Sequence, residues 1–341
     1  MRCLLRSLVG LCVVGSSAAV FGQADALPNL TSRLVVVHFS MAMGRIEATA
    51  DQPGFEREQT STIEPGRHET LSVSTNDAQE ATVKYDLTTE AEQLSVSVSE
   101  GYEVSFTRHP SKDSHTPQVE FRQPRTGPIT LTVVKDGVTR EVHGETVWYL
   151  LLAEPELCRQ HLLPLLDMLR SDWRLVETAQ AIESQMLRIA GAYQPENLRR
   201  WNTLVGDLAS DRFVVRQAAE RELRAAGTVV IPYLQSLNQH QLDLEQSSRI
   251  RGIVDSQADA AEDTPEQEAC RLMDDRPLWL VLAGRPQESA RRMAARQLAF
   301  LVGESIPFDP GAAESIRKTQ LESLRKRIES LAPVKSADDS D

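Results

Sequence analysis

The chain has 341 residues, 49 acids against 37 bases and a formal net charge of −12. That balance argues against a general nucleic-acid binder and against a polybasic membrane-surface binder, because both neutralise phosphate with Lys and Arg. Apolar residues make up 41 % and aromatics 5 %, enough for an aliphatic core in about two domains. The four cysteines are too few for a disulfide-rich scaffold.

The N-terminus reads as an export signal. Arg2 and Arg6 precede an uncharged run from Leu8 to Val20, and Gly22 and Ala24 supply small residues for cleavage. A membrane anchor is the competing reading, but the run is shorter than the ~20 residues that span a bilayer. Cys12 raises a lipoprotein alternative, against which Leu11 is bulky for a lipobox. The expectation is a signal peptide over 1–24, cleaved near Ala24, and a periplasmic or secreted protein with no transmembrane helix after cleavage. Cleavage removes Cys3 and Cys12, leaving Cys158 and Cys270. These are expected as small buried hydrophobes, with a disulfide between them as the alternative. Asn29-Leu30-Thr31 fits a glycosylation sequon.

From about 33 to 143 the period is two. Leu34 to Phe39 is an apolar run. Leu71-Ser72-Val73, Ala81-Thr82-Val83-Lys84-Tyr85, Leu94-Ser95-Val96-Ser97-Val98 and Tyr102-Glu103-Val104-Ser105-Phe106 alternate. Ile129 to Val133 leads into Lys135-Asp136-Gly137 and out through Val138 and Val142, a hairpin with a tight primed turn. The alternation predicts an antiparallel β domain over 25–145, one face on a core and a Ser/Thr-rich face in water. Asp51–Glu69 and Arg108–Pro117 have no apolar run and are expected as polar surface loops.

From Val147 the period becomes helical. Connecting helices are expected over 146–194, with Leu157 to Leu169 at helical spacing and a break at Pro164. Ser171-Asp172 is expected to cap a helix with the stripe Val176, Ala179, Ile182, Met186 and Ile189. Pro195 opens another with Leu198, Trp201, Leu204, Val205 and Leu208 on one face. Ser210-Asp211 is expected to cap a helix that stops at Gly227, and Pro232 starts the next. Arg216-x-Ala218-Ala219 reappears as Arg292-x-Ala294-Ala295, and both helices run to a glycine, Gly227 and Gly303. Paired helices of this kind suggest stacked repeats.

The stretch from Asp207 to Leu223, the Pro232 start and the basic Arg249-Ile250-Arg251 helix resemble a HEAT-like repeat of the bacterial phycocyanobilin-lyase/armadillo-like type. Arg292 to Phe308 resembles the terminal part of secreted bacterial HEAT-like proteins of unknown function. The resemblance covers about 195–310, roughly a third of the chain. It implies two antiparallel helices per repeat, stacked into a curved solenoid that presents a binding surface to another macromolecule. No residue of the lyase activity carries over. The last helix, 311–332, with Leu321, Leu324, Ile328 and Leu331, reads as a cap on the final repeat, or as a short coiled-coil seam. The acidic tail 333–341 is expected to be disordered.

No catalytic signature stands out. The seven histidines (His38, His68, His109, His115, His143, His161, His240) show no HExxH spacing. His109, Asp113 and His115 come nearest to a cluster, and metal sites need three or four rigidly placed ligands. CxxC, GxSxG, P-loop and GxGxxG motifs are absent. A carboxylate pair for glycoside hydrolysis stays open, but Trp148, Trp173, Trp201 and Trp279 fall on helix stripes and read as core. The basic clusters Arg199-Arg200, Arg291-Arg292 and Arg325-Lys326-Arg327 read as solvated helix faces with Glu partners such as Glu322 and Glu329. Arg216 and Arg249 are expected to bond helices together.

The expected fold class is α+β: an N-terminal antiparallel β domain followed by an all-α HEAT-like domain. No catalytic, cofactor-binding or metal residue is assigned, no cofactor is implied, and the partner-binding residues stay unknown. The leading function is a non-enzymatic protein-binding or scaffolding protein of the bacterial cell envelope. Its alternative is an envelope enzyme or accessory subunit with a site at the β/α junction. A third reading makes the β domain an assembly module that pairs edge strands.

Overall fold

The computed structural model describes residues 30, 33–34, 36–64, 66–111, 116–256 and 263–330. The signal peptide, Asn29 and Thr31 of the sequon, Asp113, His115, Leu331 and the acidic tail lie outside the described residues. The fold is α+β, an antiparallel sheet followed by an all-helical region.

The β half is a hairpin laid on a meander. Strands β1 (Val37–Ala42) and β2 (Arg45–Ala50) form the hairpin. Eight further strands follow: β3 (Glu56–Glu64), β4 (Arg67–Thr75), β5 (Ala81–Thr88), β6 (Glu92–Ser99), β7 (Glu103–Pro110), β8 (Gln118–Gln123), β9 (Ile129–Lys135) and β10 (Val138–Gly144). Each pairs antiparallel with its sequence neighbour, so sheet order equals chain order. Alternation places Leu94, Val96 and Val98 on the core face opposite Leu87, Tyr85 and Val83. Phe106 faces Phe121 across the next ladder, ring centroids 5.7 Å apart. Asp136 and Gly137 both have positive φ, as the primed turn requires.

The loop expected over Asp51–Glu69 is corrected. Glu56–Glu64 of it is β3, and its end begins β4. β3 is an edge strand with largely exposed side chains, so no face needs to be apolar and no alternation betrays it. The Arg108–Pro117 loop is shortened likewise, since β7 reaches Pro110 and β8 starts at Gln118.

The hairpin is fastened to the sheet by groups that imitate a ladder. Gln123, 2 % exposed, accepts from the Ile46 amide at 2.9 Å and donates to the Ile46 carbonyl at 2.8 Å. Ala48 N–H donates to Gly101 O at 2.8 Å, and a Cβ at Gly101 would stand 2.8 Å from Ala48 O. Only glycine allows that approach.

Helix α1 (Val147–Ala153) is N-capped by Thr146. After α2 (Pro155–Leu157), one π-helical turn over Cys158–Leu162 leads into α3 (Leu163–Leu169). The break expected at Pro164 is this turn, because proline has no N–H to continue the α ladder. Leu30 N–H bonds Met168 O at 2.9 Å and Arg170 bonds Phe39 O at 3.1 Å. One hydrophobic core runs from the sheet through these helices to Ile328.

The remaining helices are α4 (Leu175–Ala192), α5 (Pro195–Asp207), α6 (Phe213–Ala225), α7 (Ile231–Gln235), α8 (Leu244–Asp255), α9 (Pro265–Arg271), α10 (Arg276–Ala283), α11 (Glu288–Val302) and α12 (Glu314–Ser330). Two expected caps are displaced. Arg174, not Ser171-Asp172, precedes α4, and Asp172 instead binds Arg170 at 2.9 Å. Arg212, not Ser210-Asp211, precedes α6. Gly227 and Gly303 take positive φ beyond α6 and α11. α12 packs Leu324 and Ile328 into the core as a cap. Among the described residues no helix is long and apolar enough to cross a membrane.

Candidate functional site

Ionisable groups converge where the β1–β2 turn meets the helical region. Asp263 stands just before Thr264, which caps α9 in a reciprocal box with Gln267. Its side chain is 4 % exposed. Oδ1 accepts from Met43 N at 2.7 Å and from an Arg271 Nη at 3.1 Å. Oδ2 accepts from Gly44 N at 2.6 Å and from Trp148 Nε1 at 3.1 Å. The positive φ angles of Met43 and Gly44 present these successive amides. A Cβ on Gly44 would lie 2.4 Å from the Thr146 Cβ, so the turn fits against α1 only as glycine.

One helical turn on, Glu268 is fully buried. Its Oε1 takes Arg271, while Oε2 finds no donor. Burial, and then the neighbouring Asp263 charge, push the Glu268 carboxyl up to about 8. Glu47 on β2 is raised by the same two causes. Glu268 therefore holds a proton at neutral pH. Asp263 has two donors on each oxygen, which fills its acceptor directions. That arrangement clamps a turn and leaves no lone pair for a base or a metal ligand. Among the described residues no group of three or more His, Cys, Asp or Glu is placed to hold a metal ion.

The helical region carries a recurring device. Arg216 on α6 donates to Ser210 O at 2.6 Å, and Arg291 on α11 donates to Arg285 O at 3.1 Å, each six residues upstream. Both close the loop ahead of their own helix. Arg249 on α8 binds Glu220 of α6 and Glu245 at 2.6 Å, and Arg216 approaches Glu245 at 3.6 Å. Arg216 and Arg249 thus bond helix to helix, as expected from the sequence.

Two features stand out on the surface of the described residues. At the N-terminal turns of α6 and α8, joined by Arg216 and Glu245, three apolar side chains face solvent. Phe213 is 59 %, Val214 71 % and Leu244 91 % exposed. Between α1–α3, α4 and the α10–α11 loop lies a groove of about 300 Å³. Leu151, Leu163, Val176 and Ala179 line it, and the Arg285–Glu183 pair at 2.7 Å closes one side.

The other singled-out residues fall mostly into structural roles. Trp148, Trp201 and Trp279 are buried, but Trp173 lies in the loop between α3 and α4, partly buried beside Arg170. Cys158 and Cys270 are both free, and Cys158 donates to Leu150 O at 3.3 Å. Arg200 pairs with Glu222 and Arg292 with Glu288. Arg327 pairs with Glu304 rather than with Glu322 or Glu329. Arg291 is buried on three carbonyls and belongs to no solvated face. Sequence reasoning missed Asp263, Glu268 and Arg271. The capping-box spacing Thr264-x-x-Gln267 marks that helix start locally, but nothing local marks the turn it clamps. No family model, curated protein or solved structure matches the chain.

Proposed function

We propose that this is an exported, non-enzymatic protein-binding or scaffolding protein of the bacterial cell envelope, working through a HEAT-like surface of stacked helices. The observation that carries the reading is the solvent-facing trio Phe213, Val214 and Leu244 on two helix starts that a salt bridge holds together. Exposed large apolar side chains grouped on rigid elements suit a protein partner. The repeated arginine device of α6 and α11 supports stacked helix pairs. Arg2, Arg6 and the run Leu8–Val20 support export.

The enzyme alternative at the β/α junction gains from the raised Glu268. It loses more from the full coordination of Asp263. The edge-pairing reading is disfavoured by charge, since β3 carries Glu56, Arg57 and Glu58 and β10 carries Arg140 and Glu141.

The deciding experiment is a crosslinking pull-down from the native envelope fraction. The baits are mature 25–341 and its F213S/V214S/L244S variant. We expect one protein captured at near-stoichiometric yield by the native bait and lost by the variant, with unchanged unfolding. Equal capture by both baits, or none by either, overturns the assignment of this surface.

A further inference from the structure

We propose that Asp263 and Glu268 form a proton-held latch, closing the β1–β2 turn onto the helical region while the pair keeps one proton and loosening it when that proton leaves. The inference stands apart from the partner-binding surface and survives its failure.

The geometry gives each acid a different task. Asp263 touches the turn through Met43 N and Gly44 N and touches α1 through Trp148 Nε1. Glu268 touches neither and is buried behind Asp263, with Oε2 unpartnered. A neutral Glu268 leaves Asp263 its four donors. An ionised Glu268 puts two buried carboxylates side by side with one shared guanidinium, Arg271, which is 44 % exposed. That is too little compensation for two desolvated charges. Asp263 is the member free to yield, because it precedes the helix cap while Glu268 sits inside α9. Its retreat breaks both amide bonds to the turn.

Among the described residues Glu268 has no second cationic partner, and the nearby Arg188 of α4 acts on Cys270 instead. From β2 comes Glu47, another acid, facing Asp263. From α4, Glu183 is engaged by Arg285, and Arg188 by Gln185 and Thr228. On α9 itself, Glu266 accepts from Gln185, and Cys270 donates to Thr228 O. The turn packed after α9 carries Asp274, and α7, which also packs on α9, carries Tyr233, whose hydroxyl donates to Asn202. Among the described residues, Asp263 and Arg271 are the groups that act on the Glu268 charge.

The test follows the backbone amide resonances of Met43 and Gly44, and the Trp148 indole resonance, in the mature chain from pH 6 to 9.5. We expect all three to shift together with one midpoint near 8, and E268Q, which stays neutral, to hold the closed positions throughout. E268Q keeps an acceptor for Arg271, so it is expected to fold, and its spectrum at pH 6 must overlay the native one. Resonances that stay fixed in the native chain overturn the latch. So does an identical titration in E268Q.

Discussion

Arg216 and Arg291 occupy the same place in two helix pairs, α5–α6 and α10–α11. Each stands in the first turn of the second helix of its pair, and each donates to a backbone carbonyl six residues upstream, Ser210 O or Arg285 O. The shift that carries Arg216 onto Arg291 carries Phe213 onto Glu288, the two helix starts, and Ala219 and Leu223 onto the buried Ala294 and Leu298. The sequence echo aligned Arg216 with Arg292 instead, one residue away. Arg292 is exposed and pairs with Glu288. The Arg216 and Arg291 guanidinium groups each satisfy a carbonyl of the loop before their helix and so tie that loop to the helix start; the helix N–H groups gain no acceptor from this, and neither helix has a side-chain cap.

The two arginines differ in burial, and their removal should differ in cost. Arg291 is 6 % exposed and bonds Pro310 O, Arg285 O and Pro286 O. R291M strands three carbonyls and is expected to cost about 3 kcal/mol. R216M strands one carbonyl near solvent and removes the partly exposed contact with Glu245, and should cost about 1 kcal/mol. Urea unfolding of both variants checks the order, and equal costs contradict a load carried by the buried carbonyls.

Glycine at the clamped turn is required twice over, by φ and by space. Gly44 has φ +71° and faces Thr146 Cβ at 2.4 Å, whereas Gly137 has φ +77° and faces open space. G137A therefore isolates the backbone term, about 1 kcal/mol. G44A adds a clash with α1 and the loss of the Asp263 bonds, and about 3 kcal/mol is expected. Similar losses for the two variants, by thermal or urea unfolding, contradict the close fit of the turn against α1.

Buried Gln123 gives a sharper probe of how the hairpin is held. Its side chain pairs with both Ile46 backbone groups and donates to Tyr102 O at 2.8 Å. Q123L keeps much of the volume and removes every bond. It leaves an amide and two carbonyls buried without partners, which is expected to cost about 3 kcal/mol. Amide exchange at Ile46 should accelerate well beyond that of Val96 in the middle of the meander.

These positions show which parts of the fold are local. The Asp136-Gly137 hairpin was readable because its turn residues and both strands sit in one window. The β1–β2 hairpin was not, because its turn is Met43-Gly44, a weak signal made tolerable by an aspartate more than two hundred residues away. β3 was invisible because an edge strand exposed on both faces needs no apolar period. The helix stripes of α4 and α5 were readable because one face of each is buried. The candidate partner surface was not, since the solvent-facing Phe213, Val214 and Leu244 look in sequence like core residues. The clamp is a tertiary accident of chain path, and no spacing rule contains it.

The last expectation concerns pH and stability. The Glu268 carboxyl is raised from the ordinary 4.5 to about 8, by burial first and the Asp263 charge second. The folded state therefore holds a proton that the unfolded state releases. Its stabilising contribution is whole below about 4.5, falls as pH rises, and is gone above about 8. Asp275, raised to about 6 chiefly by burial, acts in the same direction over a lower window. Glu69 acts oppositely. Burial raises it, but hydrogen bonds from Arg67 and Arg33 outweigh burial and hold it low. Its contribution is present above the ordinary carboxylate range and is lost on acidification. The midpoint of thermal unfolding should therefore fall from pH 5 to pH 8 and then level. E268Q should flatten most of that slope and exceed the native chain in stability above pH 8. D275N keeps an N-cap acceptor for Leu278 and should flatten only the part below about 6. Circular dichroism melts at constant ionic strength decide it: parallel native and E268Q curves would mean that the buried glutamate does not hold the proton assigned to it.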